Sequence, residues 1–263
     1  MKNLTRFVTS LLAVGTLLLV GCGGNEFSNV PEEPYKGMFT EHGYASHTPV
    51  TDGEHIWAFF GKSGAVCFDM QGKQIWRKNL GEKLDPEHWG SSSSPILYKN
   101  ILIVTASTES NTIYGLNKLT GEEVWRHQSE ELTSTWSTPI LAKVDEDRTD
   151  LVLPVPYKLW GLDPETGEFL WQCDSLDVNA ACSSAVINDG TIYFVERGRT
   201  GGGSVAIRAG GRNDVTNSHV AWKSRQRGHI GTPIVYDGKL FWVSSGIVNC
   251  VSAKDGKSVY KAR

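Results

Sequence analysis

A chain of 263 residues with a formal charge of −3, 40% hydrophobic residues and nine tryptophans is long enough for one substantial domain or two small ones. Its near-neutral balance gives no general attraction to nucleic acid or to an anionic membrane, and it has no low-complexity stretch that would oppose folding.

In chain order, the first element is an export signal. Met1 to Arg6 is basic, and Phe7 to Val20 is an apolar run of signal-peptide length. Leu19-Val20-Gly21-Cys22 then resembles the bacterial lipobox, in which the peptide is cut before a cysteine that carries lipid. A transmembrane anchor is the alternative, but the run is short for a span and lacks a basic stop-transfer flank. On the lipobox reading Cys22 is the lipidation site and the mature chain sits at a membrane without a spanning helix. Gly23, rather than Asp, after the cysteine favours the outer membrane, facing the periplasm, by the sorting pattern of enterobacterial lipoproteins. Residues 23–45 read as a linker and residues 46–263 as the folded domain.

From there the chain repeats itself. Each unit opens with a small-residue turn, usually before Pro: His47-Thr48-Pro49, Ser94-Pro95, Thr138-Pro139, Ser184-Ala185 and Thr232-Pro233. Asp52-Gly53, Asp189-Gly190 and Asp237-Gly238 predict two-residue hairpin turns, with Gly supplying positive φ. Second strands are expected over 56–60, 101–104, 151–153, 192–195 and 240–243. A third and fourth strand come from one phrase: Gly115-Leu116-Asn117, Thr120-Gly121, Trp125, repeated as Gly161-Leu162-Asp163, Thr166-Gly167, Trp171. It recurs as Cys250-Val251-Ser252, Asp255-Gly256, Tyr260, and one residue shorter as Cys67-Phe68-Asp69, Gly72, Trp76. Trp76, Trp125, Trp171 and Trp222 stand 46 to 51 residues apart, with no helical periodicity between them. Units of four antiparallel strands at that period predict an all-β fold, a β-propeller with about five blades visible. The closing aromatics Trp76, Trp125, Trp171, Trp222 and Tyr260 are expected to cap their own sheets and pack on a neighbour, each indole N–H finding a polar partner.

Four cysteines lie in the repeats. Cys67 and Cys250 occupy the repeat position that Gly115 and Gly161 hold, and read as small buried residues. Cys173 and Cys182 flank one connection between units, and a disulfide between them is possible in an exported chain. No CxxC occurs, which removes zinc-ribbon and thioredoxin-like readings.

The repeated phrase resembles the tryptophan-docking motif of pyrroloquinoline-quinone-like (PQQ-like) propeller repeats, roughly Ala-x-Asp-x-x-Thr-Gly-x-x-x-Trp, over residues 45–263. The stretches HGYASHTPVTDG and SVAIRAGGRNDVTNSHVAWK look like those of exported PQQ-like repeat proteins of planctomycete type. A more distant similarity is to BamB, the lipoprotein propeller of the outer-membrane β-barrel assembly machinery. That resemblance implies seven or eight blades, so five visible units read as an incomplete version of the ring. It also implies a scaffold role. The quinoprotein dehydrogenases of the same superfamily hold PQQ with calcium, but no adjacent cysteine pair or ligand set here matches theirs, so no cofactor is expected and PQQ with calcium is the alternative.

Residues leading into the innermost strands should gather at one mouth of the channel. His42, His47, Trp89, Trp136, Asn179, Arg227 and His229 are therefore the candidate binding residues. Arg197, Arg199, Arg208, Arg212 and Arg225 form a second, anion-binding candidate around the Gly-rich stretch 198–203, which lacks the Gly-Lys-Ser/Thr ending of a phosphate loop. Both sets also read as ordinary solvated loop residues. Asp145, Asp147 and Asp150 resemble a calcium loop only briefly, because an EF-hand needs Gly at 150 and Glu at 156, and they read better as a solvated hairpin. No metal site is expected. The inner-strand segments carry no acid, and no nucleophile elbow or HExxH occurs, which disfavours catalysis. The sequence thus reads as a non-catalytic binding or scaffold lipoprotein of the bacterial envelope, with an envelope protein or glycan as partner and no nucleic acid. A PQQ-dependent oxidoreductase and a polysaccharide-active propeller enzyme are the alternatives.

Overall fold

The computed structural model describes residues 46–84, 89–198 and 201–263. Cys22, His42 and Arg199 lie outside the described residues, as do the signal and linker segments. Five antiparallel sheets follow one another along the chain, each a blade of a β-propeller. Blade 1 is β1 (Val50–Thr51), β2 (His55–Phe59), β3 (Ala65–Asp69) and β4 (Gln74–Lys78). Blade 2 is β5 (Ile96–Tyr98), β6 (Ile101–Ala106), β7 (Thr112–Asn117) and β8 (Glu123–Gln128). Blade 3 is β9 (Ile140–Lys143), β10 (Thr149–Val155), β11 (Lys158–Leu162) and β12 (Phe169–Asp174). Blade 4 is β13 (Val186–Asn188), β14 (Thr191–Arg197), β15 (Gly202–Arg208) and β17 (Val220–Ser224), with β16 (Asn213–Asp214) inserted before its last strand. Blade 5 is β18 (Ile234–Tyr236), β19 (Lys239–Ser244), β20 (Ile247–Ser252) and β21 (Ser258–Ala262).

One register recurs in every blade. Val50, Trp57, Cys67 and Trp76 stand opposite one another across blade 1. The same row is Ile96, Ile103, Gly115 and Trp125 in blade 2, and Ile140, Val152, Gly161 and Trp171 in blade 3. It is Val186, Tyr193, Ala206 and Trp222 in blade 4, and Ile234, Phe241, Cys250 and Tyr260 in blade 5. A bulge follows the third member each time, between Cys67 and Phe68, Gly115 and Leu116, Gly161 and Leu162, Ala206 and Ile207, and Cys250 and Val251. The extra residue sharpens the twist, so each sheet turns its aromatic row toward the next blade.

Burying that row is what joins the blades. The apolar clusters each span two consecutive blades: 1 with 2, 2 with 3, 3 with 4 and 4 with 5. Between them, the closing tryptophan of one blade lies on the glycine of the next blade's turn. A Cβ on Gly121 would meet the Trp76 ring at 2.7 Å, one on Gly167 the Trp125 ring at 2.4 Å, and one on Gly256 the Trp222 ring at 2.6 Å. These glycines also have φ of +73°, +71° and +69°, so backbone conformation and close approach both require glycine there. The indole N–H groups then reach carbonyls of the same turns: Trp76 to Lys118 at 2.9 Å, Trp125 to Pro164 at 3.2 Å and Trp222 to Ala253 at 2.9 Å. Asn117 and Asp163 shape the turns by accepting N–H groups two and three residues on.

Blade 3 departs from this pattern. The next turn is displaced by the insertion in blade 4, whose β16 pairs in parallel with β12, Asn213 opposite Trp171. The Trp171 N–H turns back to Asp150 Oδ2 at 2.7 Å, and Arg148 donates to both Asp150 oxygens at 2.7 and 2.9 Å. The same guanidinium donates to the Gly211 carbonyl at 2.9 Å, so a buried polar network takes over the role of the missing turn. This corrects the reading of Asp145, Asp147 and Asp150 as a solvated hairpin: Asp145 caps Asp147 and Arg148, but Asp150 is fully buried. A second correction concerns Asp52-Gly53. Thr51 pairs with Ile56, which leaves a four-residue loop in which Asp52 accepts the N–H groups of Glu54 and His55. The loops at 189–190 and 237–238 do have two residues, all at positive φ.

Asp150→Ala strips Trp171 and Arg148 of their buried acceptor and should cost about 3–5 kcal/mol in urea unfolding. His127 of β8 lies 5.7 Å from both Trp160 and Phe169, and burial lowers its pKa from the ordinary 6.5. The unfolded chain therefore binds this proton more readily, so the neutral ring's contribution is fully present above pH 6.5 and shrinks as pH falls below it. His127→Gln should flatten the fall in Tm between pH 7.5 and 5.5 relative to the parent.

Candidate functional site

The chain returns from the last strand of each blade to the first strand of the next along one end of the molecule, so residues 79–84, 89–95, 129–139, 175–185 and 225–233 share that end. Proline at 49, 95, 139 and 233 holds the residue before it extended and keeps that residue out of the helical region. A lateral ladder results. The Thr48 N–H donates to Ser94 Oγ at 2.9 Å, Ser94 N–H to Thr138 Oγ1 at 3.0 Å, Thr138 N–H to Ser184 Oγ at 2.9 Å and Ser184 N–H to Thr232 Oγ1 at 3.3 Å. One hydroxyl per blade therefore stitches the innermost strands together. The linkers beneath it pair as well, with Trp136 and Ser137 donating to the Ala181 carbonyl at 2.7 and 3.0 Å and Ala181 donating to Ser134 at 3.0 Å.

The candidate residues divide on this frame. His47 is buried, its Nε2 3.0 Å from Ser91 Oγ and its ring edge-on to Phe59 at 4.8 Å. Trp136 is also buried, donating to the Gly90 carbonyl at 2.7 Å with the Trp89 ring 4.8 Å away. These side chains serve packing between the first three blades. Asn179, Arg227 and His229 are exposed on the later linkers, and the Arg227 carbonyl accepts the Trp242 indole at 2.8 Å, which fixes the backbone under the exposed guanidinium. The arginines of blade 4 do not form one patch. Arg197 pairs with Gly202 at the linker end, beside exposed Arg225, whereas Arg208 pairs with Thr191 at the opposite end and donates to the Ser218 carbonyl. Arg212 lies in the insertion, donating to the Gly211 carbonyl.

Glu196 is a residue the sequence reading missed. Its carboxylate is buried at the end of β14 and accepts the N–H groups of Cys182 at 2.8 Å, Ser183 at 2.7 Å and Arg197 at 2.9 Å. One acid at the end of the apolar run Ile192 to Val195 was the only sign of it in the sequence. Cys182 and Cys173 are free thiols. Burial, then Glu196, pushes Cys182 up to about 12, and burial pushes Cys173 up to about 11, so neither is a ready thiolate.

Chemically, this end can present cations and hydrogen-bond donors on a stiff base. A quinone with calcium would require a convergent set of oxygens. Among the described residues no three His, Cys, Asp or Glu side chains converge, and Glu196 is occupied by backbone N–H groups. Among the described residues these side chains alone therefore supply no calcium ligand set. The ladder itself is testable. Thr138→Val removes the acceptor for the Ser94 N–H at nearly constant volume and should cost about 1 kcal/mol in urea unfolding.

The comparisons fit this architecture. Residues 23–262 match the family model described as outer membrane protein assembly factor BamB. No curated protein matches the chain. Among solved structures, BamB from Moraxella catarrhalis aligns at a TM-score of 0.61 and 15% identity, over 82% of this chain and 61% of that one. The quinohemoprotein alcohol dehydrogenase of Comamonas testosteroni aligns at 0.58 and 15%, over 84% of this chain and 43% of that one. The computationally designed Ika8 protein aligns at 0.53 and 11%, over 82% and 61%. The chain thus spans about three fifths or less of each of these neighbours, and identities this low convey the fold alone. With a register repeated through five blades and a family match over nearly its whole length, the chain belongs to the outer membrane protein assembly factor BamB family.

Proposed function

We propose that this chain is a non-catalytic scaffold of the bacterial envelope that holds a protein partner on the linker end of blades 3 to 5. The observation that carries this reading is the division of that end. His47 and Trp136 of the early blades are buried in packing, while Asn179, Arg225, Arg227 and His229 are exposed on the later linkers and Arg197 at the end of β14. Cations held on a backbone fixed by the hydroxyl ladder suit an acidic protein surface, because little ordering cost is left to be met on binding. The family match supports protein interaction as the general role and an envelope setting. It begins at residue 23, directly after Cys22, which supports lipidation there.

A photo-crosslinking residue placed at Arg227 in envelope-bound chain should capture one discrete protein. The same residue at Arg208, at the opposite end of blade 4, should not. Arg225→Glu with Arg227→Glu should reduce the capture several-fold while leaving the thermal transition in place. The quinoprotein fold of a neighbour keeps an oxidoreductase as the second reading. Saturable quenching of tryptophan fluorescence by PQQ with calcium, accompanied by dye reduction, would favour it over the scaffold. For the anchor, Cys22→Ser should move the chain from the membrane to the soluble fraction and abolish fatty-acid labelling. Labelling that persists would refute lipidation at this cysteine.

A further inference from the structure

A single exposed apolar side chain is ordinary, and so is an Asn or Asp at positive φ in a turn. An exposed apolar side chain on a backbone at positive φ is not. Among the described residues, most non-glycine positions of that kind are Asn, Asp, Ser or Lys, as at Asn111, Asp189, Asn213 and Asp237. Tyr157, at +67°, and Ile230, at +60°, are the exceptions. Positive φ presses Cβ against the neighbouring carbonyl, and a bulky or β-branched side chain makes that worse. Neither residue gains burial in return, since Tyr157 is 50% exposed and Ile230 60%. The fold imposes both conformations. Tyr157 lies in the turn between β10 and β11, where its N–H donates to the Val178 carbonyl at 2.9 Å and its carbonyl accepts the Ser175 N–H at 2.8 Å. Ile230 lies between two fixed points of its linker. On one side the Arg227 carbonyl holds the Trp242 indole, and Gly228 is so closely packed that a Cβ would meet Val195 at 2.8 Å. On the other, Thr232 accepts the Ser184 N–H. The packing thus dictates the backbone but not the side chain, and Asn, which the chain uses at 111 and 213, would sit there with less strain. Strain that is held in place by its surroundings and brings the folded chain no burial is characteristic of binding sites.

We propose, resting on the linker-end scaffold reading, that Tyr157 and Ile230 are the apolar anchors of that surface. The partner they fit is a protein with an apolar pocket for each, and with carboxylates beside the pocket that takes Ile230. The two residues share the linker end. Tyr157 is tied to the linker that carries exposed Asn179, and Ile230 follows His229 in the linker that carries exposed Arg225 and Arg227. An apolar anchor inside a rim of charged and polar groups is the arrangement in which binding energy concentrates. Both backbones are already fixed, so each side chain enters its pocket with little further ordering.

The test places Tyr157→Asn and Ile230→Asn together in the full envelope-bound chain that carries the photo-crosslinking residue at Arg227. Asn removes both apolar groups and relieves the backbone, so the double variant should melt within about 4 °C of the parent or above it. Its capture of the discrete partner should fall by about tenfold. Tyr157→Phe with Ile230→Leu keeps the anchors apolar and should capture as the parent does. A larger fall in Tm for the Asn pair would make these residues packing elements and overturn the proposal. Capture that persists at the parental level in the Asn pair, or that is lost equally in the Phe and Leu pair, would overturn it too and leave the linker-end reading standing. A parent chain that captures no discrete protein refutes that reading and the two anchors with it.

Discussion

A twisted four-stranded sheet with one aromatic row cannot bury that row by itself, and everything else in this molecule follows from how the next blade covers it. The contact is narrow: an indole lying on a glycine held at positive φ, with its N–H on a carbonyl of the same turn. Because the ring and the turn belong to different blades, stability passes from blade to blade along the chain, as in other repeat proteins. The bulge after each row and the hydroxyl ladder at the inner edge are the other two repeated devices. One sets the twist that aims the row, and the other fixes the spacing of the innermost strands.

Blade 3 shows what happens when this contact is unavailable. The insertion in blade 4 displaces the turn that would meet Trp171, and a buried aspartate with its arginine takes the indole N–H instead. A buried carboxylate is a costly substitute for a carbonyl, since it loses its water and only complete pairing offsets that loss. Here the pairing is complete, because Arg148 meets both carboxylate oxygens and reaches across to blade 4 through Gly211.

The fold was legible because the contact leaves a local mark: the glycine and the tryptophan lie four residues apart in Gly121 and Trp125, although each meets a different blade. Strand order, the five blades and the turns between their third and fourth strands could be read from that phrase, whereas the loop at Asp52-Gly53 came out two residues longer than its dipeptide suggests. The Asp150 network could not, because Arg148, Trp171 and Gly211 come together only after the insertion has been placed. The candidate site was legible in position but not in exposure. Pre-strand residues do gather at one end, yet sequence spacing does not distinguish buried Trp136 and His47 from exposed Arg227 and His229. The arginines that cluster in sequence from 197 to 225 are separated in space because a strand carries Arg197 and Arg208 to opposite ends of the blade.

The central claim is that the blades hold one another and do not stand alone. Gly167→Val tests it most directly, since any Cβ there would meet the Trp125 ring at 2.4 Å while the blade's own strands are left intact. Native-state hydrogen exchange should show blades 2 and 3 losing protection together, by the same free energy, with the loss reaching strands far from residue 167. Loss confined to the turn between β11 and β12, with β6 and β7 protected as in the parent, would contradict the account.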